Sequence, residues 1–113
     1  MPSLEETYRR YFDGFKRREW STVMAFAHPQ VIHNDRSFTP HGYVQMIQDS
    51  LVDLPSDLEA SLEMLIADDK TGRVAARIRF DALSLGKASY EHVFYQFRED
   101  RIVQVWSLLQ MSF

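Results

Sequence analysis

The sequence predicts a single α+β domain in which three helices precede an antiparallel sheet, and two observations support this. Apolar residues recur at helical intervals through the first half of the chain and alternate with other residues, as in strands, through the second half. Helices followed by a run of strands are typical of α+β folds, in which the helices pack on one face of the sheet. The 113 residues are enough for one such domain with a real core, and no linker or repeat divides residues 1–113.

Each predicted helix has a start or a stop signal. Ser3–Glu6 has the spacing of a capping box, and an amphipathic helix follows it to about residue 17. Ser21 is the expected N-cap of a second, short helix, which Pro29 ends. A third helix is predicted to begin at Thr39–Pro40, a capping residue followed by a first-turn proline, and to end before Pro55.

Strands are predicted after the second helix and in the second half of the chain. They lie at 30–34, 58–66, 73–82, 88–98 and from 101 to Phe113, and the last four form a meander whose turns are 68–72, 84–87 and 99–100. Alternation places Leu62, Met64 and Ile66 on one buried face of their strand. The last two strands are apolar on both faces, so each face needs a cover. We expect the helices to cover one face and a second copy of the chain to cover the other, in a homodimer through the sheet.

Composition excludes several classes of chemistry and partner. The formal charge of -3 and the lack of a basic run argue against nucleic acid, and the absence of cysteine excludes disulfides and thiolate catalysis. The histidines, at positions 28, 33, 41 and 92, lack metal-ligand spacing, and there is no glycine-rich phosphate loop, so we expect no metal and no cofactor. The sequence shows no membrane span and no signal peptide, so we expect a cytoplasmic protein. The aromatic content of 13% favours either a core of large side chains or a cavity for a hydrophobic small molecule.

Three stretches in a fixed order carry a family resemblance. They are residues 11–15 with Trp20, residues 31–34 with Gly42–Tyr43, and residues 92–106. Together they resemble SnoaL-like polyketide cyclases, a branch of the nuclear-transport-factor-2-like superfamily. The resemblance implies a cone, in which a curved antiparallel sheet and three N-terminal helices enclose an apolar pocket. The superfamily includes ketosteroid isomerase, scytalone dehydratase and limonene epoxide hydrolase, so the fold alone does not select a reaction.

The chain departs from this family at its pocket. The segment between the second and third long strands, which helps to form the pocket mouth in relatives, shrinks here to about 84–87. Relatives also place an acid directly after the tryptophan of the last strand or one residue further, where this chain has Ser107 and Leu108. They often carry acids where it has Gln104 and Gln110. The usual general acid/base is absent from its usual place, which favours a non-catalytic binding or dimerisation domain as one alternative.

The resemblance implies a cofactor-independent cyclase or isomerase that acts by acid/base chemistry on a hydrophobic polycyclic intermediate of secondary metabolism. SnoaL-like cyclases place a pocket histidine on the strand that carries His92, so His92 is the predicted catalytic acid/base. Tyr90 shares a strand face with His92, and Gln104 shares one with Trp106. If these faces meet inside the cone, they bind the substrate and stabilise an oxyanion. The alternative is a packed core in which His92 is hydrogen-bonded and Trp106 is the largest side chain.

Asn34 and Arg36 follow the short strand, at a point where relatives often line the pocket with the equivalent asparagine. An amide both donates and accepts hydrogen bonds, and Arg36 would bind a carbonyl or anionic oxygen if it points inward. We therefore predict substrate-binding roles for both residues. The alternative for Asn34 is an Asn-Asp turn that leads into the third helix.

Arg79-Phe80-Asp81 resembles the Arg-x-Asp pair of limonene epoxide hydrolase, in which the arginine orients carboxylates that activate water. Residues two apart share a strand face and can pair. An epoxide hydrolase with Asp81 and Arg79 as catalytic residues is the second alternative, although the third member of that group, an acid on the last strand, is missing. If Ile78 and Phe80 face the helices, Arg79 and Asp81 instead form a solvated or dimer-edge ion pair.

Overall fold

The computed structural model describes residues 2–110. Three helices, α1 (Leu4–Lys16), α2 (Trp20–Ala25) and α3 (Pro40–Leu51), precede or interrupt a six-stranded sheet. The strands are β1 (Ala27–His33), β2 (Arg36–Phe38), β3 (Glu59–Asp68), β4 (Arg73–Asp81), β5 (Ser89–Arg98) and β6 (Arg101–Gln110). Their order across the sheet is β2-β1-β6-β5-β4-β3, which confirms the predicted α+β class. The predicted end of the last strand, at residues 111–113, lies outside the described residues.

The two longer helices begin at the predicted caps. The Ser3 hydroxyl accepts a hydrogen bond from the Glu6 amide at 3.2 Å, and the Thr39 hydroxyl accepts one from the Gly42 amide at 3.0 Å. Each bond satisfies a backbone N–H that has no partner within the first turn of a helix. Pro40 occupies the first turn of α3, where its missing N–H costs nothing.

The short helix α2 differs from the prediction. It begins at Trp20, after Glu19, which makes no side-chain capping bond, so the prediction of a Ser21 cap was wrong. It also ends at Ala25, and Pro29 lies inside β1. The pairing of β1 with β6 is irregular across this part of β1, where a proline cannot donate to the strand ladder.

The predicted four-stranded meander is confirmed, because β3, β4, β5 and β6 pair antiparallel in sequence order. The sequence did not reveal that β1 runs parallel to β6, or that β2 forms a hairpin with β1. Asn34 and Asp35 form the two-residue turn of this hairpin with φ of 46° and 70°. Tight hairpin turns need this left-handed backbone, and Asn and Asp tolerate it. The expected Asn-Asp turn therefore leads into a strand before α3 begins.

A β-bulge in β3 reverses the predicted alternation. The register with β4 shifts between Leu62 and Met64. Beyond the shift Leu65 and Ala67 pack against the core, while Met64 and Ile66 are exposed. The prediction that Met64 and Ile66 are buried was wrong, because one inserted residue moves every later side chain to the opposite face.

The two faces of β5 and β6 have different environments. Val93, Tyr95 and Val105 belong to the buried core, whereas Phe94 is 58% exposed and Trp106 is 40% exposed. We call the side that packs on the helices the inner face and the opposite side the outer face. The inner face of these two strands carries Glu91, Val93, Tyr95, Phe97, Val105, Ser107 and Leu109, and the outer face carries Tyr90, His92, Phe94, Gln104, Trp106 and Leu108.

Candidate functional site

A cavity of about 960 Å³ lies between the helices and the inner face of the sheet. Its wall includes the segment 52–58, which follows α3, and the loop 82–88, which joins β4 to β5. The exposed side chains of Val52 and Leu85 in these two segments place the mouth of the cavity there. This volume is at the upper end of the range for small-molecule pockets in proteins. The cavity can therefore hold a molecule of several rings.

Apolar side chains form most of the wall. They are Phe12 and Phe15 from α1, Met46, Ile47 and Leu51 from α3, Val52, Leu54, Pro55 and Leu58 from the segment after α3, Ile78, Phe80, Val93, Val105 and Leu109 from the sheet, and Leu85 from the mouth. Such a wall binds flat hydrophobic molecules by removing their surface from water. The polar groups among these side chains are few, so their positions decide what chemistry the cavity supports.

Glu91 is the acid of the inner face. It lines the cavity from β5, and its Oε2 lies 2.5 Å from the hydroxyl Oγ of Ser107 on the neighbouring strand β6. Burial raises the pKa of Glu91 above its ordinary value, and the hydrogen bond from Ser107 opposes that rise in part. A carboxyl group with a raised pKa exchanges protons closer to neutral pH, as general acid/base catalysis requires.

Three tyrosines surround the same cavity. The hydroxyl oxygens of Tyr11 in α1 and Tyr43 in α3 lie 2.6 Å apart, and Tyr95 lines the wall from β5. Burial raises the pKa of all three phenols, and the negative charge of Glu91 raises each of them further. The phenols therefore keep their protons and act as hydrogen-bond donors in the cavity.

His33 is a further polar group of the cavity and is the last residue of β1. Burial lowers its pKa, and the charge of Arg36 lowers it further. Its ring lies 6.4 Å from that of Tyr43, measured between centroids. His33 therefore supplies a neutral imidazole at the side of the cavity where Tyr43 lies.

None of the eight residues predicted from the sequence lines this cavity. His92 and Tyr90 lie on the outer face, where Arg77 holds both. The Arg77 Nε donates to the His92 Nε2 at 3.1 Å, and the guanidinium carbon lies 4.1 Å from the centre of the Tyr90 ring. Arg77 also pairs with Glu63. His92 is therefore a member of a polar cluster outside the cone, and the expectation that its face lines the pocket was wrong.

Arg79 and Asp81 do form an ion pair, with 2.8 Å between the Arg79 Nε and the Asp81 Oδ2. The pair lies on the outer face with both side chains nearly half exposed, while Ile78 and Phe80 line the cavity. Arg79 and Asp81 therefore form the solvated ion pair that was the alternative to a catalytic pair. An exposed pair of this kind contributes little to stability and does not contact a ligand in the cavity.

The remaining predicted residues also point elsewhere. Gln104 and Trp106 lie on the outer face of β6, and Arg36 is exposed with its guanidinium carbon 5.2 Å from the centre of the Phe38 ring. Asn34 forms the hairpin turn, and its side chain bonds to the backbone of Ser107. Asn34 therefore has a structural partner where a ligand contact was expected.

Four residues that line the cavity were not predicted from the sequence as site residues, namely Glu91, His33, Tyr11 and Tyr43. For Glu91 a signal was present, because it alternates with Val93, Tyr95 and Phe97 and so shares the face of three core residues. An acid on the buried face of a strand is rare unless it has a partner or a function. Tyr11 and Tyr43 gave no comparable signal, since their spacing is that of ordinary core positions in a helix.

Within residues 2–110, no group of three or more His, Asp or Glu side chains could hold a metal ion. No helix in the same range is long and apolar enough to cross a membrane.

A protein-family model and a solved structure that both match nearly the whole chain agree on one family. The model of the SnoaL-like polyketide cyclase family matches residues 5–112. A SnoaL-like polyketide cyclase from Agrobacterium tumefaciens is 31% identical, with a TM-score of 0.83 over 97% of this chain and 93% of that one. No curated protein matches the sequence.

Two more distant structures share the fold. A protein from Kribbella flavida assigned as a ketosteroid isomerase is 17% identical, with a TM-score of 0.78 over 97% of this chain and 79% of its own. IdmH from Streptomyces antibioticus, assigned as a polyketide cyclase, is 14% identical, with a TM-score of 0.77 over 96% of this chain and 92% of its own.

Proposed function

Since the chain belongs to the SnoaL-like polyketide cyclase family, which supports a cyclase or isomerase role, we propose that it is a cofactor-independent cyclase or isomerase with Glu91 as its acid/base. The observation that carries the proposal is the position of Glu91, a carboxyl group in a large, mostly apolar cavity. The substrate class that fits is a hydrophobic compound of several rings with a carbonyl group, as in intermediates of secondary metabolism.

The proposed reaction moves one proton between two sites of the substrate. The ionised Glu91 removes a proton from a carbon next to the carbonyl, and the electrons of that C–H bond form an enolate. Protonated Glu91 then returns the proton to a different carbon. Alternatively, the enolate carbon attacks a second carbonyl and closes a ring, and protonated Glu91 gives its proton to the alkoxide oxygen that this attack forms. The carboxylate is restored at the end of an isomerisation, so no external acid or base is consumed.

The Tyr11–Tyr43 pair supports the step in which negative charge collects on oxygen. Within the pair one hydroxyl donates to the other, and the accepting hydroxyl keeps a proton for a third group. A donor that itself accepts a hydrogen bond is polarised and donates more strongly in a low-dielectric site. This phenol is the proposed donor to the enolate oxygen, and it is in place before the substrate enters.

The other candidate functions lack such an observation. The epoxide hydrolase hypothesis rests on Arg79 and Asp81, and the first acid/base prediction rests on His92. Each of these side chains lies on the outer face. A non-catalytic binding domain would use the same cavity as the proposed enzyme, so turnover decides between the two.

A proton-transfer assay with three matched variants tests the proposal. The probe is a β,γ-unsaturated polycyclic ketone, whose conversion to the conjugated enone is followed by ultraviolet absorbance. We expect Glu91→Gln, which keeps the shape of the side chain, to lower kcat by more than about 100-fold. His92→Gln and Asp81→Asn should retain wild-type turnover, because both residues lie outside the cavity.

Each contrary result has a distinct meaning. Full activity of Glu91→Gln, or loss of activity only in His92→Gln or Asp81→Asn, would contradict the role of Glu91. If calorimetry detects binding of hydrophobic ketones to the wild type without conversion or α-deuterium exchange, the domain binds without catalysing.

We also propose that a second copy of the chain covers the outer face of the sheet. Five large apolar side chains are exposed there, Met64, Ile66, Phe94, Trp106 and Leu108. Exposed apolar patches of this kind mark contact surfaces, and a twofold dimer places the same patch against itself. The ion pairs of Arg77 and Arg79 on the same face supply charges of both signs for such a contact.

A further inference from the structure

The Glu91 carboxyl group is held by a hydrogen bond that crosses from β5 to β6. The Ser107 Oγ and the Glu91 Oε2 lie 2.5 Å apart, at the short end of the range for a hydroxyl bonded to a carboxylate. An ionised carboxylate has no proton to give, so in that state the Ser107 hydroxyl donates. The bond fixes one of the two carboxylate oxygens and leaves the other for a ligand.

Ser107 is itself held from the opposite side by Asn34. The Asn34 Oδ1 accepts from the Ser107 backbone N–H at 2.9 Å, and the Asn34 Nδ2 donates to the Ser107 backbone C=O at 3.1 Å. The Asn34 backbone N–H donates to the carbonyl oxygen of Val105 at 3.0 Å. The two side-chain hydrogen bonds thus take the place of backbone hydrogen bonds and extend the pairing of β1 with β6 by one residue beyond the end of β1.

We call the two hydrogen bonds between the Asn34 side chain and the Ser107 backbone the Asn34 clamp. The conformation of the turn makes this clamp possible. Asn34 has φ of 46°, a left-handed conformation that turns the backbone away from β6 towards β2. The Asn34 side chain is hydrogen-bonded to β6, whereas the main chain continues into β2. Because Asn is among the residues that tolerate this conformation and has both a donor and an acceptor, it suits the position for two separate reasons.

We propose that Ser107 is a positioning residue for the Glu91 carboxylate and that Asn34 holds Ser107 in place for this purpose. The inference rests on the proposed function, in which Glu91 transfers the proton. A glutamate has a long side chain with several rotatable bonds, and a base that is displaced by about 1 Å can lose about 100-fold in rate. The hydrogen bonds from Asn34 through Ser107 to Glu91 remove that freedom before the substrate binds.

The other ionisable groups around Glu91 do not perform this task. The phenols of Tyr8, Tyr11, Tyr43 and Tyr95 remain protonated because burial raises their pKa values, and no hydrogen bond joins any of them to Glu91 in the part of the chain that the structure describes. His33 lines the cavity from β1, and Lys87 and Asp53 line it at the mouth. Ser107 is the side chain whose removal should change the acidity of Glu91 directly.

The test measures the titration of the Glu91 carboxyl group with and without the Ser107 hydroxyl. In protein labelled with ¹³C at glutamate side chains, the Glu91 signal is assigned with Glu91→Gln and titrated by NMR in the absence of any ligand. We expect Ser107→Ala to move the titration midpoint upward, because the carboxylate loses a donor while its burial is unchanged. The same variant should lower kcat for the ketone probe by about 10- to 100-fold at an unchanged KM, and the pH–rate profile should shift upward with the titration.

Three further variants separate positioning from a general loss of structure. Ser107→Thr keeps the hydroxyl and should restore the wild-type midpoint. Asn34→Gly tolerates the left-handed backbone but removes the clamp, so it should shift the midpoint in the direction of Ser107→Ala. Ser37→Ala removes a hydroxyl that accepts from the Gln30 side chain on the exposed hairpin, and it should change neither midpoint nor rate.

An unchanged midpoint in Ser107→Ala, or failure of Ser107→Thr to restore it, would overturn the inference. The titration is independent of turnover, so the two proposals can fail separately. If Glu91→Gln retains full activity while Ser107→Ala shifts the midpoint, the proposed function is wrong and the hydrogen bond still sets the acidity of Glu91.

Discussion

The hydrogen bond between Tyr11 and Tyr43 predicts a non-additive pattern of stability. Its oxygens lie 2.6 Å apart, and both side chains are buried. Tyr11→Phe or Tyr43→Phe alone leaves the other hydroxyl without its partner in mostly apolar surroundings, which costs about 1–3 kcal/mol. The double variant removes both polar groups, so it should be destabilised by no more than one single variant.

The expected magnitude is large enough to measure. For a chain of 113 residues, an unfolding entropy of about 2.1 cal/mol/K per residue makes 1 kcal/mol equivalent to about 4 °C in Tm. Each single variant should therefore lower Tm by about 4–12 °C. The coupling energy from the double-mutant cycle should exceed about 1 kcal/mol, well above the additivity error of about 0.3–0.5 kcal/mol for independent sites.

Urea unfolding followed by tryptophan fluorescence measures the cycle, with the m-value checked for constancy across the variants. Tyr8→Phe is the control. Its hydroxyl is buried without a hydrogen-bond partner among residues 2–110, so its removal should be neutral or stabilising. If the two single variants add within the error, or if Tyr8→Phe costs as much as they do, the hydrogen bond does not stabilise the fold as argued.

Two further predictions concern Glu91 and the outer face. Burial raises the folded-state pKa of Glu91 above its unfolded value, so the folded state binds more protons between the two values and the free energy of unfolding falls as pH rises through that interval. Glu91→Gln should remove this fall, so the variant should gain stability relative to the wild type towards pH 8. If the free energies of unfolding of the two proteins change in parallel from pH 4 to 8, this prediction is contradicted. On the outer face, Trp106→Glu should convert the proposed dimer to a monomer, as measured by light scattering at micromolar concentration. The control Leu83→Glu, on an exposed loop, should leave the dimer intact. A monomeric wild type would exclude the sheet dimer.

Local signals in the sequence determined the elements of this fold. The caps at Ser3 and Thr39 depend on hydrogen bonds between residues three apart, and the meander of β3 to β6 follows from short turns between alternating strands, so both could be predicted. The turn at Glu99 and Asp100 is of the same kind, with φ of 52° and 63° in a two-residue connection. Such features require no knowledge of distant parts of the chain.

Only the tertiary structure decided which face of each strand meets the cavity. β5 and β6 are apolar on both sides, so their alternation has no preferred direction, and the choice follows from where the helices pack. The same choice placed Glu91 inside and His92 outside. The site also joins residues far apart in sequence, with Ser107 16 residues from Glu91 and 73 from Asn34. The predicted meander already pairs β5 with β6. The parallel pairing of β1 with β6, which brings Asn34 to Ser107, joins segments far apart in sequence, and no periodicity within one segment records it.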